Sequence, residues 1–484
     1  MKTYLYRSVF VAVCALSLHS CVKDEFLNPI SQTALSDATS FDTKPRIENQ
    51  VTGLYSGLKA GNLYGGRYFV YNDVRAENFL SNDPNRVTAR AAWEFSENAA
   101  DNEVNNLWGA AYTVINRANL FLDGMVTKGN DIAGADAARY NAEARFIRAV
   151  SYYSLLQFFA APYTDGNGSK PGLPLRLIGI KGGGLNDLAR STVGEVYAQI
   201  LDDLNFAESN LAATNGTAIL NTSRAHKNSA IAMKVRVYLS MGNYANVITE
   251  ANKIVSAAAP FTSPTGVPHA LQADIATVFN NYTTTESIFS MPFTANDAPG
   301  GQNSLGSYYM PNGVGGASGI FYLNPTGVVA DANWKATDKR RTLFILDNGG
   351  KQWLSKFDAP GPFLDWAPVL RYSEVMLSLA EAIARTTNSV DARALALLNA
   401  VRNRSDATTT FAPADAPALI AAILQERNIE FLGEGIRSID ILRLMQPFPA
   451  KSIPGFTVAQ VLPSNPAYLW PTPSEEVRYN KLIN

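Results

Sequence analysis

The sequence predicts a mainly α fold: a degenerate tetratricopeptide-type helical-repeat scaffold carrying an irregular, loop-rich inserted subdomain. Three observations predict it. From Arg46 to about Ala257 apolar residues recur at helical spacing, as in Phe146, Ala149, Val150, Tyr153 and Leu156, which form one stripe of an amphipathic helix. Two stretches pair small-residue helices about a turn. One runs from Ala230 to Leu239, turns at Gly242-Asn243-Tyr244 and returns with Ala245, Ile248, Ala251 and Ile254; the other runs from Leu370 to Ala384, turns near Asn388 and returns with Ala394, Leu397, Leu398 and Val401. Small residues let paired helices approach closely, although no strict repeat of about 34 residues holds. Between Phe279 and Trp366 the texture changes: eleven of the 34 Gly residues fall between Gly300 and Gly361, together with Trp334, Trp353, Tyr308, Tyr309, Phe321 and Tyr322. Glycine at that density excludes regular helix. Loops rich in aromatics are costly to order unless they bind or pack against something.

Taken in order, residues 1–20 read as a signal peptide, with Lys2 and Arg7 before an apolar run from Val9 to Leu18 that is too short to span a bilayer. Leu16 to Cys21 resembles a bacterial lipobox, which makes Cys21 the lipidated first residue of the mature chain and 21–45 a lipidated N-terminal tether. Lys23-Asp24-Glu25 resembles the acidic surface-export signal of Bacteroidetes lipoproteins. Helices are expected near 46–59, 103–125, 136–160, 193–212, 226–241 and 243–257, and the helical pattern resumes from about Leu370 to Leu444. The scaffold therefore occupies 46–278 and 367–446, the irregular aromatic and Gly-rich insertion 279–366, and an extended, Pro-rich C-terminal segment 447–484.

Charge and composition remove several kinds of function. Lys plus Arg total 41 and Asp plus Glu 42, so there is no basic excess of the kind that marks nucleic-acid binding, and no nucleic-acid partner is expected. Two Cys and three His leave no material for zinc clusters, iron–sulfur sites or a disulfide framework, and neither a metal nor a cofactor is expected. Cys21 is committed to acylation, which excludes a cysteine nucleophile. His226 precedes a helix and His269 lies in a Pro-flanked loop, and both are expected at the surface. Glu374 and Glu381 stand seven residues apart on one helix face, about 10.5 Å between Cα atoms, which fits poorly with the carboxylate spacing of glycosidases. Glu426 and Glu430 flank Arg427 on an apolar stripe, and a partly buried Arg held by carboxylates is the simpler account. Gly313-Val-Gly315-Gly316 lacks the spacing and the surrounding βαβ unit of a dinucleotide fingerprint and reads as a loop. Trp108 and Trp470 are expected in the core.

Several strings, in order along the chain, resemble the SusD/RagB family. Cys21-x-x-Asp24-x-Phe26-Leu27 resembles its mature start. Asp73-Val-Arg75-Ala-Glu77-Asn78, Leu107-Trp108-Gly109 through Asn119, and Ala142 to Ala149 match its N-terminal half. Arg371-Tyr372-Ser-Glu374 with Ala380-Glu381-Ala382, Val401-Arg402-Asn-Arg404, Glu426-Arg427 through Arg443, and Trp470-Pro-Thr-Pro473 with Glu476 match the later half. Physically these strings read as architecture, with ion pairs that lock helices together.

What the resemblance implies is a cell-surface outer-membrane lipoprotein, not an enzyme. It captures an oligosaccharide and acts as the lid of a SusC-like TonB-dependent transporter. Some family members handle peptides instead, and a helical-repeat scaffold for protein partners and a glycan-cleaving enzyme are the rival classes. The family's ligand site is formed by the loop after the first long helix together with the central irregular region, here about 82–95 and 300–334. Within them Trp93, Tyr308, Tyr309 and Tyr322 are expected to stack on sugar faces, and Asn82, Asp83 and Arg86 to bond hydroxyls.

Overall fold

The computed structural model describes residues 39–82, 89–184 and 186–483. The signal peptide, Cys21 and the Lys23-Asp24-Glu25 run lie outside the described residues. The helices of seven residues or more are α1 (Lys44–Leu58), α2 (Arg67–Arg75), α3 (Asn102–Gly124), α4 (Ala137–Phe159), α5 (Val193–Asn210), α6 (Lys227–Ser240), α7 (Tyr244–Ala251), α8 (Tyr372–Thr387), α9 (Ala392–Ser405), α10 (Ala416–Glu430) and α11 (Arg437–Arg443). Nine of them pack in a continuous stack, α1 on α3, α3 on α4, α4 on α5, α5 on α6, α6 on α7, α7 on α8, and α8 on both α9 and α10, while α2 packs on α11. The two small-residue hairpins, α6/α7 and α8/α9, thus meet through α7 and α8, although more than a hundred residues separate them in sequence. The fold is mainly helical and of the tetratricopeptide type, as the sequence predicts.

Local chemistry fixes the helix ends. Thr192 and Glu195 form a capping box at α5, each side chain accepting the other's backbone N–H. Asp391 and Asp415 cap α9 and α10. The α4 helix is buried almost all round from Ala142 to Phe159, which makes it the central post of the stack. The α7 helix stops at Ala251 and not near 257, because i→i+3 bonds from Lys253 and Ile254 tighten the last turn and the Ser256 hydroxyl bonds the Ala258 and Pro260 carbonyls. Sequence reasoning missed α2. Every residue from Tyr68 to Arg75 is buried, including Asn72, Asp73 and Arg75, so the helix shows no polar face.

Between the two runs of helices lie short strands and loops. β1 (Phe79–Ser81) comes from the N-terminal half; β2 (Ser287–Met291), β3 (Phe321–Leu323), β4 (Ile345–Asn348), β5 (Lys351–Leu354) and β6 (Ala367–Arg371) follow. β2 pairs antiparallel with β6, Ser287 opposite Arg371 and Met291 opposite Ala367, so entry and exit of the irregular region are tied side by side. β1 pairs with β3, Leu80 opposite Tyr322, which joins that region to the end of α2. At the start of α2, a Cβ on Gly66 (φ 146°) would fall 1.7 Å from the Asn303 carbonyl oxygen, so only glycine lets the backbones pass.

A buried ionic network bolts the irregular region to the scaffold. Arg371 reaches Glu286 at 2.7 Å, Glu430 at 2.9 Å and Glu434 at 2.7 Å. Arg404 bridges Glu286 and Glu430, Arg340 bridges Asp338, Glu426 and Glu430, Arg402 pairs with Glu426, and Lys356 with Glu434. All ten side chains are 3% exposed or less. Beyond α11 the chain runs back over α4: the Trp470 amide donates to the Phe158 carbonyl at 2.8 Å and its ring lies 4.6 Å from Phe158. Trp108 and Trp470 are both buried.

Candidate functional site

The carboxylates singled out in the sequence are structural. Arg236 forks onto Glu374, and Arg443 onto Glu381 at 2.9 and 2.6 Å. Burial raises Glu430, but Arg404, Arg371 and Arg340 around it outweigh burial and hold its carboxyl well below the usual carboxylate range. Such a group is fixed as an anion and makes no general acid. Arg427 is held by a carboxylate as expected, but the partner differs: Asp440 accepts from it at 2.9 and 3.1 Å, while Glu426 and Glu430 serve other arginines. Asp440 comes from α11, one loop further along, and residue spacing within α10 carries no sign of it.

The two histidines are not at the surface. His226 and His269 are fully buried, with ring centroids 5.2 Å apart and planes 21° apart, and His269 lies 6.2 Å from the Tyr372 ring. They meet because the loop carrying His269 folds over the start of α6. Burial pushes His226 down to about 3 and His269 down to about 4. Among the described residues no group of three or more His, Cys, Asp or Glu is placed to hold a metal ion.

The residues expected to contact ligand divide into two sets. Trp93, Tyr308 and Tyr309 are core side chains, a correction to the expectation that their rings face a ligand. The Trp93 indole N–H donates to the Phe79 carbonyl at 2.9 Å. The Tyr308 hydroxyl donates to the Gln302 carbonyl at 2.7 Å. Tyr309 donates to Asp73 at 2.8 Å and stacks on Phe79 at 4.7 Å. Burial pushes the Asp73 carboxyl up to about 8 in spite of the bonds from Tyr309 and the Gly435 amide. These rings fix β1, and Gly and aromatic density alone does not tell a packed ring from a presented one.

Asn82 and Tyr322 do come together, at the edge of the β1–β3 ribbon, although the Tyr322 ring is only 9% exposed and packs with the core. The Asn82 backbone donates to the Ile320 carbonyl at 2.8 Å and its side-chain amide to the Gly319 carbonyl at 2.9 Å. The Lys351 ammonium donates to the Asn82 side-chain oxygen at 2.5 Å and lies 4.5 Å above the Tyr322 ring, with Trp353 5.9 Å from that ring. Asn82 is exposed and Lys351 half-buried. Gly319 holds the turn beneath them: at φ 61° a Cβ would sit 2.4 Å from the Asn312 amide nitrogen. Asp83 and Arg86 lie outside the described residues.

Sequence reasoning passed over Lys351 and one aromatic pair. Tyr282 and Trp366 are half-buried and stacked, 5.6 Å between centroids and 10° between planes, and the Tyr282 hydroxyl donates to Asp365 at 2.6 Å. Asp365 also accepts the Ala359 N–H, and burial raises its carboxyl. The pair joins the two ends of the irregular region, 84 residues apart, and no local pattern links them. Aromatic rings beside fixed acceptors suit ligands with apolar faces and hydroxyl edges.

A family model described as starch-binding and associating with the outer membrane matches residues 25–239, and the model of the SusD family matches residues 364–484. The fold superposes on a SusD superfamily protein of Bacteroides fragilis with a TM-score of 0.81 and 32% identity, covering 92% of this chain and all of that one. SusD-like protein P25 of Formosa agariphila is 25% identical over 90% of this chain and 89% of its own length. Surface glycan-binding protein A of Bacteroides thetaiotaomicron, solved in complex with laminarihexaose, shares the fold with a TM-score of 0.72 at 17% identity, over 90% of this chain and 97% of that one.

Proposed function

Because the chain belongs to the SusD/RagB family, we propose that it is a cell-surface outer-membrane lipoprotein, anchored through Cys21, that binds an oligosaccharide nutrient as the lid of a SusC-like TonB-dependent transporter. The observation that carries the binding reading is the meeting of Asn82, Tyr322 and Lys351 at the ribbon edge, with Asp83 and Arg86 following Asn82 in the sequence. Lys351 has three donors and spends one on Asn82, leaving the others for sugar hydroxyls. Tyr322 is 9% exposed and lies under Lys351, so stacking a sugar on its face requires Lys351 to move off the ring, at a cost of about 0.5–1 kcal/mol, which the C–H contacts of the sugar offset. Tyr282 and Trp366 supply a second aromatic surface on the same irregular region. Trp93, Tyr308 and Tyr309 act from beneath, by holding β1 and β3.

The mechanism is capture and gating without bond cleavage. The paired state of the motif carboxylates supports this, since each is neutralised by Arg at hydrogen-bond distance. The likeness in fold to a protein solved with laminarihexaose supports a glycan as the ligand. Four measurements test the proposal. A glycan array with laminarihexaose among its probes reads the ligand class, and product analysis of the bound glycan reads turnover. Purification from the outer membrane reads whether a large β-barrel accompanies the chain. Retention of an unacylated Cys21→Ala variant in the outer-membrane fraction, with no transporter present, contradicts the anchor.

A further inference from the structure

A groove of about 520 Å³ opens beside α1 and α3, within the size range of ligand clefts. Phe41, Leu54, Leu120 and Phe121 make its apolar lining, and Arg117 and Lys181 bring positive charge to it. Among the described residues neither cation has an ion-pair partner. The one carboxylate of the lining, Asp123, accepts the Gly179 N–H at 2.9 Å, and Lys128 pairs with Asp42 at 2.6 Å. The groove is therefore apolar within and cationic around.

Its flanks carry the two most exposed large apolar side chains among the described residues, Val126 at 81% and Ile178 at 76%. Val126 directly precedes Thr127 and Lys128 of the lining, and Ile178 directly precedes Gly179, whose amide holds Asp123. Ser40 and Phe41, at the start of the described chain, also line the groove. The first described residues of the chain thus lie on this same face. A tether of 18 residues spans up to about 60 Å when extended, so the anchor alone does not decide which face meets the membrane.

We propose that this groove and its two projecting aliphatic side chains form a membrane-contacting face that seats on an anionic lipid surface. Aliphatic projections enter the acyl boundary, Arg117 and Lys181 meet the anionic headgroups, and the groove receives apolar lipid segments. The proposal uses the anchored reading only for the side on which the described chain begins, and its test needs neither the anchor nor a glycan.

The test uses the mature chain with Cys21→Ser and phosphatidylcholine vesicles with and without phosphatidylglycerol, read by co-sedimentation. The chain is expected to bind the phosphatidylglycerol vesicles, less so as salt is raised. The Val126→Asp/Ile178→Asp variant should lose about tenfold or more in affinity at an unchanged melting temperature. Gly53→Trp fills the groove, because a Cβ at Gly53 meets nothing within 4 Å, and it should weaken binding as well. A parent chain that ignores phosphatidylglycerol vesicles, or a double variant that binds as the parent does, overturns the proposal. Parent-like binding by Gly53→Trp overturns the part assigned to the groove, and leaves a charge-driven surface or a protein occupant for it. Calorimetry with a glycan reads the separate binding proposal, so failure of either is distinguishable from failure of the other.

Discussion

Two regions of this molecule carry dense polar chemistry, and they use it in opposite ways. In the segment from Arg371 to Arg443 the Arg and Glu side chains of the motif strings are mostly buried and paired, several of them to two or three partners at 2.5–2.9 Å. At the edge of the β1–β3 ribbon, Asn82 and Lys351 bond each other at the surface, over an aromatic ring. The first arrangement locks helices and the insertion together, while the second leaves donors able to change partner. Recognisable charged strings therefore mark architecture here, and the sparser polar groups beside Gly and aromatics are where the proposed function places a ligand.

The sharpest way to break this contrast is Arg371→Ala. It leaves Glu286, Glu430 and Glu434 buried with a positive charge removed from their midst, and should cost on the order of 3–5 kcal/mol in urea unfolding. Glycan affinity in whatever fraction stays folded should not change.

Acid is the next lever. His226 and His269 bind protons near pH 6.5 when unfolded but only near 3 and 4 when folded. Between those limits the unfolded chain holds more protons, so stability falls as pH falls, by up to about 1.4 kcal/mol per pH unit for each histidine. Asp73 acts in the opposite sense, since its raised folded value favours the native state as pH falls. The informative quantity is therefore a difference: the double variant His226→Phe/His269→Phe should lose less stability than the parent between pH 6.5 and about 4. Equal slopes contradict the stacked, neutral pair.

The smallest effect concerns Arg437. Its pair with Glu77 at 2.8 Å is partly exposed, 21% and 17%, unlike the buried network. Arg437→Ala should cost about 1 kcal/mol or less, against about 3 kcal/mol for Arg427→Ala, whose partner Asp440 is buried. Melting curves of the two variants side by side sharpen the line between an ionic lock and a surface pair.

The sequence made the helical stack legible because α1, α3 and α5 keep one apolar face each, and because the two hairpins, although α6 and α8 are buried almost all round, pair small residues about a turn. It hid α2, where burial on all sides erases the periodicity. Asn82 and Tyr322 were legible as residues of aromatic and polar loops, but Trp93, Tyr308 and Tyr309 share that composition and are 0–1% exposed, deeper than Tyr322 at 9%. Only tertiary pairing separates the two sets, through the Phe79 and Gln302 carbonyls and the Asp73 carboxylate that accept their polar ends. Lys351 and the Tyr282–Trp366 pair depend on contacts across 29 and 84 residues, beyond any local pattern.

The most direct test of the central claim is calorimetry of the array-identified glycan with the parent chain, Tyr322→Ala and Lys351→Ala, each checked for an unchanged melting temperature. A stacked ring contributes on the order of 1–1.5 kcal/mol, so Tyr322→Ala should weaken binding about tenfold, and Lys351→Ala should weaken it as well. Parent-like affinity in both folded variants would contradict the account and place the ligand away from the ribbon edge.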